Sequence, residues 1–175
     1  ENIKKREIKS PEKFRSLFTT KLNLKERTIY IPSMCDHAYP LAAAFCAAGF
    51  KAEVMKEEDP EILVLARKYT TGKECLPALV TTGQIIKTTK RDDFNPEKVA
   101  FFMPMTGGGC RFSYYHKLQR MVLDELGFKD VPIYTPNQSI SFYRDLGVVG
   151  TYFIRRAYQG IVATDMLEKC LREIR

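Results

Sequence analysis

The chain has 175 residues, 45% of them hydrophobic, which suits a single domain with a substantial core. Its 28 Lys and Arg against 21 Asp and Glu leave a formal charge of +7, but the basic residues are scattered and carry no recognised nucleic-acid signature. No apolar run approaches the roughly 18–20 residues needed to span a bilayer, which argues against a membrane protein.

The opening Glu1-Asn2-Ile3-Lys4-Lys5-Arg6 lacks both an initiator Met and the apolar core of a signal peptide, so the chain is expected to be a piece of a longer one. Part of the positive excess sits at the two ends (Lys4, Lys5, Arg6; Arg172, Arg175) and reads as solvated charge. An anionic partner is the functional alternative: a nucleotide, a CoA tail or an acidic protein surface. Five cysteines occur, at 35, 46, 75, 110 and 170. Their odd count, irregular spacing and lack of a CxxC pair argue against a secreted disulfide framework, a zinc ribbon or a thioredoxin-type dithiol, and favour a reducing cytoplasm.

Residues 1–27 are charged and weakly patterned, an N-terminal extension with room for one amphipathic helix around Pro11 to Thr20. Thr28 to Pro32, rich in β-branched and aromatic residues, predicts a buried strand. Asp36 is placed to cap a helix from about Tyr39 to Ala48, which Gly49 ends. Lys51 to Met55 alternates polar and apolar, a second strand. Asp59-Pro60 opens a helix to about Tyr69, with Asp as cap and Pro in the first turn. Leu76 to Thr89 reads as helix although Thr81, Thr82 and Gly83 weaken it. The apolar run Lys98 to Pro104 predicts a fully buried strand. A helix from about Phe112 to Leu126 stops at Gly127, and Val131 to Thr135 is a fourth strand. Ser139 to Leu146 allows a short helix, and a long helix closes the chain to Arg175.

Strands alternating with helices imply parallel strands joined by crossovers. The expectation is a Rossmann-like α/β three-layer sandwich with a mostly parallel sheet of about four strands, spanning 28–146, with 147–175 a helix packed on it. Ligands of such sheets bind beyond the carboxyl ends of the strands.

Two stretches stand there: Gly72-Lys73-Glu74-Cys75-Leu76-Pro77 and Thr106-Gly107-Gly108-Gly109-Cys110-Arg111. Each sets a cysteine directly before a predicted helix, where free N–H groups and the helix dipole favour a thiolate. Cys35 follows the first strand, so Cys35, Cys75 and Cys110 are expected to converge on one edge. Three soft thiolates suit an iron–sulfur cluster with one iron open; the plain alternative is that free Cys is commonly buried packing, the reading for Cys46 and Cys170. Gly107, Gly108 and Gly109 with Arg111 have a second reading, as an anion cradle for a CoA or nucleotide phosphate, though they match neither a Walker loop nor GxGxxG. His37 is a candidate acid/base group or ligand, or else makes a hydrogen bond at the helix start. His116 is expected on a surface or groove. Lys73 and Glu74 read as solvated loop charges.

Several segments together resemble one family. They are Asp36-His37-Ala38-Tyr39-Pro40-Leu41-Ala42-Ala43-Ala44-Phe45, Tyr69-Thr70-Thr71-Gly72-Lys73-Glu74-Cys75, Thr81-Thr82-Gly83, Phe101-Phe102-Met103-Pro104 and Gly109-Cys110-Arg111-Phe112. They are similar to large CoA-substrate-specific enzyme activases, relatives of the 2-hydroxyacyl-CoA dehydratase activators, over about residues 28–145. The stretch covered resembles the cluster-carrying, dehydratase-subunit-like region of those proteins. The resemblance implies a [4Fe-4S] or related cluster held by Cys75 and Cys110, and low-potential electron transfer driven by ATP hydrolysis in an activator domain; Cys35 is a candidate third ligand by its place after the first strand alone, and is not a feature of the family. That domain, in the same or another chain, is the implied partner; a CoA ester and a second copy of the chain are others. Where this chain has Leu76-Pro77-Ala78, the family pattern carries a further cysteine. A metal-free docking module for the activator, or a CoA-ester-binding module, is the alternative.

Overall fold

A computed structural model of the protein describes residues 23–55, 59–136 and 150–174. The helices expected around Pro11 to Thr20 and at Ser139 to Leu146 lie outside these residues. Four strands, β1 (Thr28–Ile31), β2 (Lys51–Val54), β3 (Val99–Phe102) and β4 (Ile133–Tyr134), form one sheet in the order β2-β1-β3-β4. Every neighbouring pair is parallel, with Tyr30 opposite Glu53 on one side and Phe101 on the other. The α/β expectation holds, and the helices are α1 (Ala38–Ala47), α2 (Pro60–Arg67), α3 (Leu76–Thr89), α4 (Tyr115–Glu125) and α5 (Thr151–Ile174).

Side chains alternate across a strand, and each sheet face here builds its own core. On one face Ile29, Ile31 and Phe102 pack with Phe45 of α1 and with Phe153 and Ala157 of α5. Phe45 is the centre, its ring 4.4 Å from that of Phe153 and 5.6 Å from that of Phe102. On the other face Phe101, Val99 and Ile133 pack with Ala78 and Ile85 of α3 and Tyr115 and Leu123 of α4. Burying one such apolar side chain contributes about 1.5–3 kcal/mol, so these two layers hold the sheet between helices.

Local signals explain most of the boundaries. Asp59 caps α2 by accepting a hydrogen bond from the Glu61 N–H at 2.9 Å, with Pro60 in the first turn. Thr81 and Thr88, poor helix formers, sit inside α3 because their hydroxyls donate back to the carbonyls of Pro77 and Gln84; this is the bonding that polar residues adopt in buried helices. Gly83 is required by packing: a Cβ there would lie 2.2 Å from the Ile62 carbonyl oxygen of α2.

The order β2-β1-β3-β4 makes the junction of β1 and β3 the switch point. From β1 the chain turns to the α1 face; from β3 it turns to the opposite, α4 face. The loops at their carboxyl ends diverge there, and such divergence leaves the crevice in which open α/β sheets hold ligands. Cys35 stands on the first loop and Cys110 on the second.

Candidate functional site

Cys75 is the N-cap of α3, in extended conformation (φ −72°, ψ 152°), with Pro77 in the first turn. The loop before it is tied by Glu74. Its carboxylate accepts from the backbone N–H groups of Thr71 (3.1 Å) and Gly72 (2.9 Å) and from the Thr71 hydroxyl (3.0 Å). Desolvation pushes the Glu74 pKa up, but these donors outweigh it and bring it below the ordinary carboxylate value. Glu74 is therefore an organiser of the loop rather than the solvated charge its sequence suggests. Gly72 has φ +84°, a conformation that L side chains rarely adopt.

The second stretch leaves β3 through an exposed glycine turn with Gly108 at φ +116°. Ser113 Oγ donates to the Thr106 carbonyl and closes that turn. Cys110 caps a 3-10 turn, Arg111–Tyr114, and α4 begins only at Tyr115. The single helix expected from about Phe112 is thus preceded by a tighter turn, a common device at helix starts. It lets Tyr114 face solvent while Tyr115 enters the core. Gly107 and Gly109 have open space around their Cα atoms, and the turn is solvent-exposed.

The two stretches meet. Arg111 Nη1 donates to the Lys73 carbonyl oxygen at 2.7 Å, so the residue after Cys110 is bound to the loop that carries Cys75. Cys75 Sγ lies 2.6 Å from Tyr115 Oη. Burial, the hydrogen bond to Cys75 and then the negative charges of Cys75 and Cys110 push the Tyr115 phenol up to about 12, against the opposing pull of Arg111. One tyrosine hydroxyl senses both thiols and the guanidinium. A cleft of about 300 Å³ opens there, lined by Cys75, Ala78, Arg111, Tyr114, Tyr115 and Leu118.

Cys35 is engaged elsewhere. Its Sγ is 3.3 Å from His37 Nδ1, and His37 Nε2 is 2.8 Å from Asp165 Oδ1 on α5. The N-cap of α1 is His37, and neither it nor Asp36 makes the expected side-chain cap; the imidazole is held between Cys35 and Asp165 instead. Among the described residues no group of three or more His, Cys, Asp or Glu side chains is arranged to hold a metal ion.

Three further expectations are corrected. Cys46 and Cys170, read as core packing, are both exposed; Cys46 falls on the outward side of α1, between the buried Phe45 and the end of the helix. His116, expected on a surface or groove, is buried, and its Nδ1 has no hydrogen-bond partner among the described residues. Tyr115 and Asp165 are the site residues that the sequence did not reveal. A buried Tyr wanting a partner was the only signal for the first; nothing local pointed to the second. Compared with known protein families, curated proteins and solved structures, the chain has no significant match.

Proposed function

We propose that this chain is an iron–sulfur, dehydratase-subunit-like module of a 2-hydroxyacyl-CoA dehydratase activator-type protein, serving ATP-driven low-potential electron transfer. Its partner on this reading is an ATPase activator domain. Cys75 and Cys110 are the thiolates this chain would give to the cluster. The observation that carries the reading is the Arg111–Lys73 hydrogen bond together with the Cys75–Tyr115 contact, which tie the loop before α3 to the turn before α4. Two cysteines far apart in the chain thereby belong to one rim.

The donor chemistry fits: soft thiolates are the usual ligands of such clusters. Each of the two cysteines occupies the N-cap position of a helical turn, with its thiol not used in the cap. Tyr115, neutral well into the alkaline range, can donate its O–H to a Cys75 thiolate, the kind of outer hydrogen bond that tunes a metal-bound sulfur. Ala78 lines the same cleft one turn into α3 from Cys75, within the Leu76-Pro77-Ala78 stretch where the resembling family carries a further cysteine. The ligands beyond these two would come from a partner chain, since all five cysteines and both histidines of this sequence lie in the described segments and no third one joins Cys75 and Cys110 there. A bound cluster would supply one-electron transfer; this chain's part is to fix the two sulfurs and shield one of them behind Tyr115.

Anaerobic reconstitution of the full chain with ferrous iron and sulfide tests this. The expected result is broad visible absorption with bound iron and sulfide, lost in Cys75→Ser and in Cys110→Ser. Iron retained by the Cys75→Ser/Cys110→Ser double variant would sink the assignment.

A further inference from the structure

The contacts of Cys35 define a second site, independent of the Cys75–Cys110 rim. Cys35 Sγ to His37 Nδ1 (3.3 Å) and His37 Nε2 to Asp165 Oδ1 (2.8 Å) make a continuous thiol–imidazole–carboxylate relay. Nucleophile, base and orienting acid stand in the order that activates a thiol, and at distances usual for a site without substrate. Cys35 is exposed and so open to attack on an incoming group. The relay also lies on the loop after β1, at the switch point of the sheet.

A groove of about 430 Å³ lies between α1 and α5; the three relay residues do not themselves line it, but their chain neighbours do. It is bounded by Asp36, the residue between Cys35 and His37, and by Thr164, the neighbour of Asp165. Its walls are Tyr39 and Pro40 of α1 with Leu167 and Leu171 of α5, exposed apolar surface of the kind that marks a binding site. The acids Asp36 and Glu168 also border it, which disfavours an anionic ligand.

We infer that Cys35, His37 and Asp165 form a nucleophilic acyl-transfer site that takes an apolar acyl group from an uncharged ester or thioester, the acyl chain lying in the α1–α5 groove. Cys35 Sγ gives its proton to His37 Nδ1 and bonds to the carbonyl carbon. The bond from that carbon to the leaving oxygen or sulfur breaks, and His37 returns the proton to the leaving group. Water, deprotonated by His37, then cleaves the Cys35 thioester to release the carboxylic acid and restore the thiol. Asp165 touches only the imidazole and is a positioning residue.

The test uses the full chain with p-nitrophenyl hexanoate, the matching hexanoyl thioester of N-acetylcysteamine, and iodoacetamide as a small probe. The expected result is a burst of about one equivalent of p-nitrophenolate per chain, with the hexanoyl mass found on Cys35. Acylation by the ester alone or the thioester alone identifies the natural leaving atom. His37→Ala should slow acylation and alkylation of Cys35 about a hundredfold or more. Asp165→Ala should slow both about tenfold, Asp165→Glu, which can still accept the Nε2–H, should recover part of the loss, and Asp165→Asn, whose amide favours the wrong tautomer, should not. Cys46→Ser is the control that changes nothing. Circular dichroism reports whether each variant is folded. Iodoacetamide labelling of Cys35 no faster than of the exposed Cys46, and unchanged in folded His37→Ala, would overturn the inference, as would acyl groups spread evenly over the exposed thiols.

Discussion

Gly160 meets Pro40 with no side chain between them: a Cβ on Gly160 would lie 2.5 Å from Pro40 Cβ. The missing methyl lets α5 lie close on α1, and this close approach carries Asp165 to within 2.8 Å of His37. A steric fact about one glycine thus sets the geometry of a polar relay further along the helix.

Gly160→Ala is therefore expected to destabilise the fold although Ala is the better helix former. The propensity gain is about 1 kcal/mol, while forcing a methyl against a rigid proline ring costs about 1–3 kcal/mol. A net loss of about 1 kcal/mol should appear as a lower urea midpoint, accompanied by slower alkylation of Cys35 as Asp165 moves from His37. A variant as stable as the parent, with Cys35 equally reactive, would show that α5 can shift on α1 at no cost.

Much of this architecture is legible in the sequence because its signals are local. The β-branched run at Thr28, the Asp59-Pro60 start and the Cys75-Leu76-Pro77 start each specify their own element, and the strand–helix alternation specifies a parallel sheet. What escapes is what depends on distant partners. Asp165 sits on a helix with no sequence mark of function, and its meeting with His37 follows from the packing of Gly160 on Pro40. His116 looks like a surface residue by type, yet its phase on α4 turns it inward beside Gln119. Cys46 errs the other way, since an Ala-rich neighbourhood hides which side of α1 faces water. At the rim, the two cysteine loops were visible, but the Arg111–Lys73 bond and the Cys75–Tyr115 pair that join them were not.

Tyr115 makes the rim testable by alkaline titration. Its pKa is pushed up to about 12, first by burial and then by Cys75 and Cys110, whereas the unfolded chain ionises its tyrosines near 10. Between these values the folded state holds a proton that the unfolded state has lost. The stability this group contributes is therefore complete below about pH 10 and declines as pH rises toward 12. Phenolate absorbance should show late titration to which Tyr30, also raised by burial and then by Glu53, contributes; Tyr115→Phe should remove the step near about 12 and flatten the decline. A Tyr115→Phe variant with the same late step would assign it to another phenol.

His116 governs the opposite end of the pH scale. Burial lowers its pKa below 6.5, and the neighbouring charge of Lys117 adds to the effect. Its Nδ1 finds no acceptor among the described residues, so a proton gained there would be an unpaired buried charge. As pH falls below about 6.5 the unfolded chain binds this proton and the folded chain does not. Stability should therefore decrease with falling pH from about 7 toward 5, before most carboxylates titrate. His116→Gln, which keeps a polar side chain in place but cannot be protonated there, should show a flatter dependence across that range. The check is the urea midpoint of both proteins measured at several pH values; parallel curves would mean that the imidazole is reached by solvent or an acceptor in the folded state.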